Sequence, residues 1–360
     1  MKKILRIFLF SAILGTTMAI YGQDPGCTQF SNTPLYYNPA YTGLYDGFRV
    51  RFSTRNQNPS AGMSLRSYHL SADIADRNLP GSGGLGVILN TDNDGLGFIQ
   101  NYNLGVSFSV RVPLTRLITG QAGFKAALLH KSIAWDEFEM SEKVSEKYGS
   151  IYDSSVMQPG SSKLNRPDFA IGGLVQFINQ QECLSGTVGF AIDHLFEPNQ
   201  SFNEKAGSPL PRRYVVHGDL IWAVNCRAKV RSSADMVTKI NPGVVFTRQG
   251  DLNIVMGGIN VTKYGIYLGA WYKGEFGYRQ NNMVALSAGY RYAFADNMSI
   301  KFTYSYDRQI AGAMPSNGTA HEISLVLEFD NLRLFSGSGR STDCSSAPKV
   351  KDSCLASVAF

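Results

Sequence analysis

The sequence predicts an all-β protein built as a single transmembrane antiparallel β-barrel of about 14 strands, with short periplasmic turns and longer extracellular loops. Three observations carry that expectation. Segments of about ten residues alternate apolar and polar side chains, the period-2 pattern of strands with two different faces. The chain opens with an export signal, and no later uncharged apolar run reaches the roughly 18 residues of a membrane helix. Long and short connections between the alternating segments fall on opposite sides.

The first element is the signal. Lys2, Lys3 and Arg6 precede an apolar run over 7–14 and then small residues, which predicts a secretory signal peptide over 1–22. Its removal leaves 31 of the 34 basic residues against 28 acidic ones, a mature charge of +3. No basic cluster remains to suggest nucleic acid. The rest divides into a periplasmic N-terminal segment (23–43), the barrel (44–329) and a periplasmic C-terminal tail (330–360). Cys27 follows Asp24, Pro25 and Gly26, which lack the small apolar run that lipidation needs.

The chain is only 17% charged, below the quarter typical of globular domains. It is rich in glycine, with 36 residues, and in aromatics, at 12%. That mixture suits strands whose aromatic side chains sit where oil meets water. The strands are expected at 44–54, 64–74, 84–91, 98–112, 117–130, 168–179, 184–193, 213–224, 236–248, 251–262, 265–274, 283–294, 298–308 and 321–329. In the first, Phe48, Val50 and Phe52 alternate with Arg49, Arg51 and Ser53. In the fourth, Tyr102, Leu104, Val106, Phe108 and Val110 oppose Asn101, Asn103, Ser107 and Ser109. In the thirteenth, "MSIKFTYSYDR" sets Phe302, Tyr304 and Tyr306 against Lys301, Ser305 and Asp307. A cation facing lipid at the midplane costs about 2–4 kcal/mol. Arg49, Arg51, Arg111, Asp219, Lys301 and Glu328 are therefore expected on the inner face, meeting water and one another. On that reading Val106→Arg or Phe302→Arg damages the barrel, whereas Lys301→Ala or Ser107→Arg is tolerated.

Connections 113–116, 179–183, 262–265 and 294–298 are short and share one parity, that of the periplasmic end. Loops 131–167, 194–212 and 309–320 are longer and share the other. Loop 131–167 is long enough to cover the mouth or bind something. The five cysteines are expected at the periplasmic end, where oxidation is permitted. Cys344 and Cys354 are the nearest pair in sequence. Cys183 and Cys226 can pair only if their turns lean together, since a bridge needs Cα atoms within about 7 Å.

No motif carries catalysis, so no enzyme, cofactor or metal site is expected. "GSGGLG" at 81–86 has no helix behind it and reads as a turn. The histidines do not fall in ligand pairs, and His217 with Asp219 is expected as a lumen ion pair.

The remaining signal lies in four motifs. "QFSNTPLYYNPAYTG" contains Asn38 to cap a turn, Pro39 to fix φ, Ala40, and Gly43 to permit positive φ. Arg55-Asn56-Gln57 follows in the first strand. "HLFEPNQ" begins at His194 and "RRYVVHGDL" at Arg212. "YSYDRQIAGAMPSNGTAHEISLVLEF" contains His321 and Glu322. In this order the motifs resemble the PorP/SprF family, outer-membrane proteins of the type IX secretion system of Bacteroidetes. Asn58 stands where that family's first strand has Trp, and Thr319-Ala320 stands where it has Ser. The 131–167 loop is longer than usual, and the tail contains cysteines. The resemblance implies a non-enzymatic outer-membrane barrel supporting secretion or surface attachment of large cargo proteins of adhesin or gliding type, or linking to the periplasmic machinery. Its implied partners are outer-membrane lipid, type IX components and a large secreted protein, with no small-molecule substrate. A core component and a cargo-dedicated paralogue both fit. The alternative outside secretion is a passive porin for small solutes.

Overall fold

A computed structural model describes residues 24–45, 47–59, 64–75, 82–93, 99–134, 144–145, 149–150, 162–179, 182–202, 207–224, 237–276, 281–295, 297–312 and 318–330. Fourteen strands close into one barrel. In chain order they are β1 (Gly47–Gln57), β2 (Leu65–Ala75), β3 (Ser82–Asn93), β4 (Ile99–Pro113) and β5 (Ile118–Ile133). A two-residue ladder of β6 (Val144–Ser145) with β7 (Gly149–Ser150) lies in the next connection. The wall resumes with β8 (Lys163–Asn179), β9 (Leu184–Asp193), β10 (Arg213–Val224), β11 (Thr238–Gln249) and β12 (Leu252–Lys263). It ends with β13 (Ile266–Phe276), β14 (Asn282–Ala295), β15 (Met298–Ala311) and β16 (Thr319–Phe329). Each wall strand pairs antiparallel with its neighbours in sequence, and β1 against β16 shuts the seam. Among the described residues no helix is long and apolar enough to cross a membrane.

The expected segments all appear, most within a few residues of their expected ends. β8 starts at Lys163 rather than 168 and lengthens the wall into the predicted loop. β1 starts at Gly47, because Gly43 (φ +60°) and Gly47 (φ +93°) first turn the chain toward the wall. A Cβ on Gly43 would run into the Gly83 carbonyl. The alternation holds face by face. On β15, Phe302 is 48% exposed and Lys301 4%; on β4, Val106 is 60% exposed and Ser107 3%.

The inner face does not meet water as expected. The described part of the 23–43 segment, expected as a periplasmic stretch ahead of the barrel, runs inside it together with Leu44 and Tyr45. Residues 24–45 descend from the end carrying loop 194–212, where Asp24 reaches His194 and Gln249, to the end where β1 begins. On the way they form a 3₁₀ turn (Phe30–Asn32), one helical turn (Pro34–Tyr37) and a second 3₁₀ turn (Pro39–Tyr41). Pro34 and Pro39 each open their turn, where a missing N–H costs nothing. Phe30, Leu35, Tyr37, Ala40, Tyr41 and Leu44 pack on Ile88, Leu174, Val215, Val245, Met256 and Trp271 of the wall. The hydrophobic core therefore lies in the middle of the barrel, in the space a porin leaves for water.

Candidate functional site

The lumen segment is held at three levels. At the top, Asp24 is 2.7 Å from His194 Nε2, and His194 Nδ1 is 3.0 Å from Asp168. Arg213 reaches Asp193 at 2.6 Å and Asp24 at 3.4 Å, while Lys125 takes the other oxygen of Asp193 at 2.8 Å. The Arg213 guanidinium donates to the Tyr36 carbonyl and lies 4.3 Å over the Tyr36 ring. Burial works against charge at both ends of the Asp24–His194 pair. Asp24 and Asp168 nonetheless hold His194 up to about 9. His194 and Arg213 hold the Asp24 carboxyl well below the usual carboxylate range. The pair is charged on both sides.

At the second level the backbone N–H groups of Thr28 and Gln29 donate to the Glu322 carboxylate at 2.9 and 3.2 Å. Arg55, 2% exposed, donates to Asp307 at 2.7 Å, to Glu322 at 3.0 Å and to the Thr28 hydroxyl at 2.9 Å. One guanidinium thus ties β1 to β15, β16 and the segment. Cys27 Sγ lies 3.0 Å from His69 Nε2 in the same layer, and burial pushes its thiol well up.

The third level begins at Asn38. Its side-chain oxygen accepts from the Ala40 N–H, and its amide donates to the Gly173 carbonyl at 3.2 Å and to His217 Nε2 at 2.9 Å. Because Nε2 accepts, the neutral ring carries its proton on Nδ1 and donates it to Tyr41 Oη at 3.1 Å. Tyr41 in turn donates toward Asp219 at 3.5 Å. Below, Thr42 donates to Ser107, Gly43 N–H to Asp73, and Arg111 to the Leu44 carbonyl. Arg51 pairs with Asp73. Gly123 faces the backbone of Pro39 and Ala40 so closely that a Cβ would collide with it.

The structure joins seven of the motif residues in this assembly: Asn38, Pro39, Ala40, Gly43, Arg55, His194 and Glu322. Gln57 ends β1 opposite Leu65 and Ala320, away from the three levels. His321 is one position off in the alternation and points outward, its Nδ1 2.8 Å from Tyr304 Oη. His217 and Asp219 form no direct pair; Tyr41 stands between them. Lys125, Asp168, Asp193, Arg213 and Asp307 carry charges on inward strand positions, but nothing in the sequence says what they face, and Asp24 carries no signal that would place it beside them. Cys27 lies in the lumen rather than at the periplasmic end. Cys183 is disulfide-bonded, while Cys226, Cys344 and Cys354 lie outside the described residues. The Ala223 N–H donates to the Cys183 carbonyl at 3.0 Å, so Cys183 sits beside the end of β10, one strand away instead of two. Among the described residues no cluster of His, Cys, Asp and Glu is arranged for a metal. What the assembly does chemically is hold a chain segment.

Comparison with known proteins adds the following. The profile described as type IX secretion system membrane protein PorP/SprF matches residues 19–327. No curated protein matches the sequence. Similar solved structures include the Pseudomonas putida toluene transporter TodX, at 11% identity and TM-score 0.45 over 87% of this chain and 99% of that one. A Pseudomonas aeruginosa FadL homologue gives 12% identity and TM-score 0.42 over 88% and 97%. A bacterial polysaccharide outer membrane secretin gives 10% identity and TM-score 0.40 over 80% and 99%. Overlaps of this size leave strand number and lumen content free to differ, so the architecture is read from the strand pairing itself.

Proposed function

Because the chain belongs to the PorP/SprF family of type IX secretion system membrane proteins, we propose that it works as a closed outer-membrane platform. In this role it helps secrete or attach a large surface protein and conducts no solute. The observation that carries the reading is the filled lumen: residues 24–45 occupy it, and Arg55, Asp307 and Glu322 around them are buried and paired. A passive porin needs those groups in water.

The outer surface is an apolar band suited to lipid, with Val106, Leu286 and Phe302 each 48–61% exposed. Function then falls to the two ends. The loops at the 194–212 end face the cargo, including the 131–167 connection. The opposite end, with the 330–360 tail, docks on the secretion machinery. Residues 24–43 are withdrawn from that docking role, because their polar groups are already taken by the wall.

The test is a gene deletion followed by surface proteomics and solute-uptake measurements. Loss of one or more large surface proteins with normal uptake supports the reading. An unchanged surface proteome with slowed uptake of a solute favours the porin. Truncating residues 331–360 leaves every described strand intact; normal barrel levels with secretion lost locate the docking in the tail.

A further inference from the structure

Above the lumen segment lies a cavity of about 120 Å³, lined by Lys125, Lys131, Arg166, Arg213, Asn103 and Gln200 among others. Its cations are of two kinds. Lys125, Arg213 and the charged His194 are neutralised by Asp193, Asp24 and Asp168. Lys131 and Arg166 have no carboxylate partner among the described residues: Lys131 donates to Gln200 Oε1 at 3.3 Å and lies 5.9 Å over the Phe202 ring, and Arg166 Nε donates to the Asn199 carbonyl at 3.2 Å. Both partners are neutral and both belong to the 194–212 loop that roofs the cavity.

The register sets Lys131 opposite Leu164 and Leu129 opposite Arg166. Lys131 and Arg166 are therefore diagonal neighbours on one face, roughly 7–8 Å apart along the sheet. Two like charges so placed repel, and the wall offers neither a carboxylate among the described residues. Of the carboxyls lining the cavity, Asp24 is held by His194 and Arg213, and Asp92 is hydrogen-bonded by Ser67 across the β2–β3 pair while its Oδ1 has no partner among the described residues.

We propose that this cavity is a binding site for a small oxyanion, bridged between the Lys131 ammonium and the terminal nitrogens of Arg166, which have no partner among the described residues. The planar guanidinium fork suits a carboxylate or a phosphate equally, and the amides of Asn103 and Gln200 supply further polar contacts. The site lies at the long-loop end of the barrel, so its ligand would come from that side or from a partner bound there. The inference stands on the cavity alone and does not depend on the secretion role.

The test uses the full mature chain purified in detergent. Thermal unfolding and titration calorimetry are run with inorganic phosphate and with succinate, each against sodium chloride at equal ionic strength. A saturable rise in Tm with one of them, absent in chloride, is expected, and the ion that works names the source as phosphoryl or carboxylate. Arg166→Gln and Lys131→Gln should each weaken binding about tenfold or more. Without the anion each variant loses one hydrogen bond to the 194–212 loop and one like-charge repulsion, so its Tm should stay near that of wild type; a large drop would mark a structural cation and overturn the proposal. No oxyanion response beyond that of chloride overturns the site, as does a response that survives in both variants.

Discussion

Arg55→Met offers the sharpest test of how the lumen holds the barrel together. The guanidinium is 2% exposed and is the cationic partner of two carboxylates, Asp307 at 2.7 Å and Glu322 at 3.0 Å, both essentially buried. Removing one partner of a buried pair costs about 3–5 kcal/mol, chiefly because the other charge is stranded. Here two charges are stranded, so the upper end applies, about 4–5 kcal/mol. The loss falls on the β1–β16 seam and on the Thr28 contact at once. The assay is urea unfolding of the detergent-solubilised barrel, followed by the fraction that resists SDS without heating. Arg308→Met, at an exposed position on β15, is the control and should stay within about 0.5 kcal/mol. Combining Arg55→Met with Asp307→Asn and Glu322→Gln removes the stranded charges and should restore more than half of the lost stability. A single variant as stable as the control would refute the argument, and so would a triple variant no better than the single.

Four further outcomes are expected. Val106→Arg, on the lipid face, should cost about 2–4 kcal/mol, and Ser107→Arg should be equally harmful, because its side chain is packed against Thr42 inside the barrel; Lys301→Met, which removes an ammonium without a hydrogen-bond partner among the described residues, should change unfolding by less than about 1 kcal/mol. The His194 pKa is raised to about 9, so its contribution is complete below the unfolded value near 6.5 and fades as pH climbs through 9; the lowered Asp24 pKa gives a contribution lost as pH falls below about 4, and Tm should form a plateau between these limits whose alkaline edge disappears in His194→Gln. Gly123→Val should push Pro39 and Ala40 off the wall, cost about 1–3 kcal/mol and expose residues 24–45 to protease. Peptide mapping without reductant should find Cys183 joined to Cys226 and Cys344 to Cys354; a Cys183 peptide of unbonded mass would remove the first pairing.

The wall was legible in the sequence because a strand's two faces meet different solvents, and the price of a misplaced Arg49 or Lys301 writes the register into the residue order. The contents of the barrel were not legible by the same rule. Residues 25–45 have no period, since they fold as short turns with contacts on all sides. Their signal was of another kind: no charged residue occurs between Asp24 and Asp46, while Phe30, Leu35, Tyr36, Tyr37, Tyr41 and Leu44 crowd together. An aqueous stretch rarely looks like that, and its composition is that of a core. With this segment in the lumen, Ser107 meets Thr42 instead of water, which turns the expectation for Ser107→Arg from tolerance to damage. Asn38, Arg55 and Glu322 were singled out by resemblance, but most of their contacts lie far away in the chain, 135 residues for Asn38–Gly173, 252 for Arg55–Asp307 and 294 for Thr28–Glu322. His321 was carried along by its neighbour, and alternation sends the two to opposite sides.

The seam has a consequence in time. β1 and β16 are the most distant partners in the chain, so their pairing carries the largest loop-closure entropy and belongs late in folding. Arg55 and Glu322 stand on either side of that junction, and both grip Thr28. Until the segment is seated, Glu322 lacks the Thr28 and Gln29 N–H donors and Arg55 lacks the Thr28 hydroxyl; once it is seated, Thr28 bridges the two edges and adds to the Arg55–Glu322 attraction across them. Seating and sealing are then one kinetic event. A half-made molecule remains an open sheet that still presents its first and last strands to the assembly apparatus.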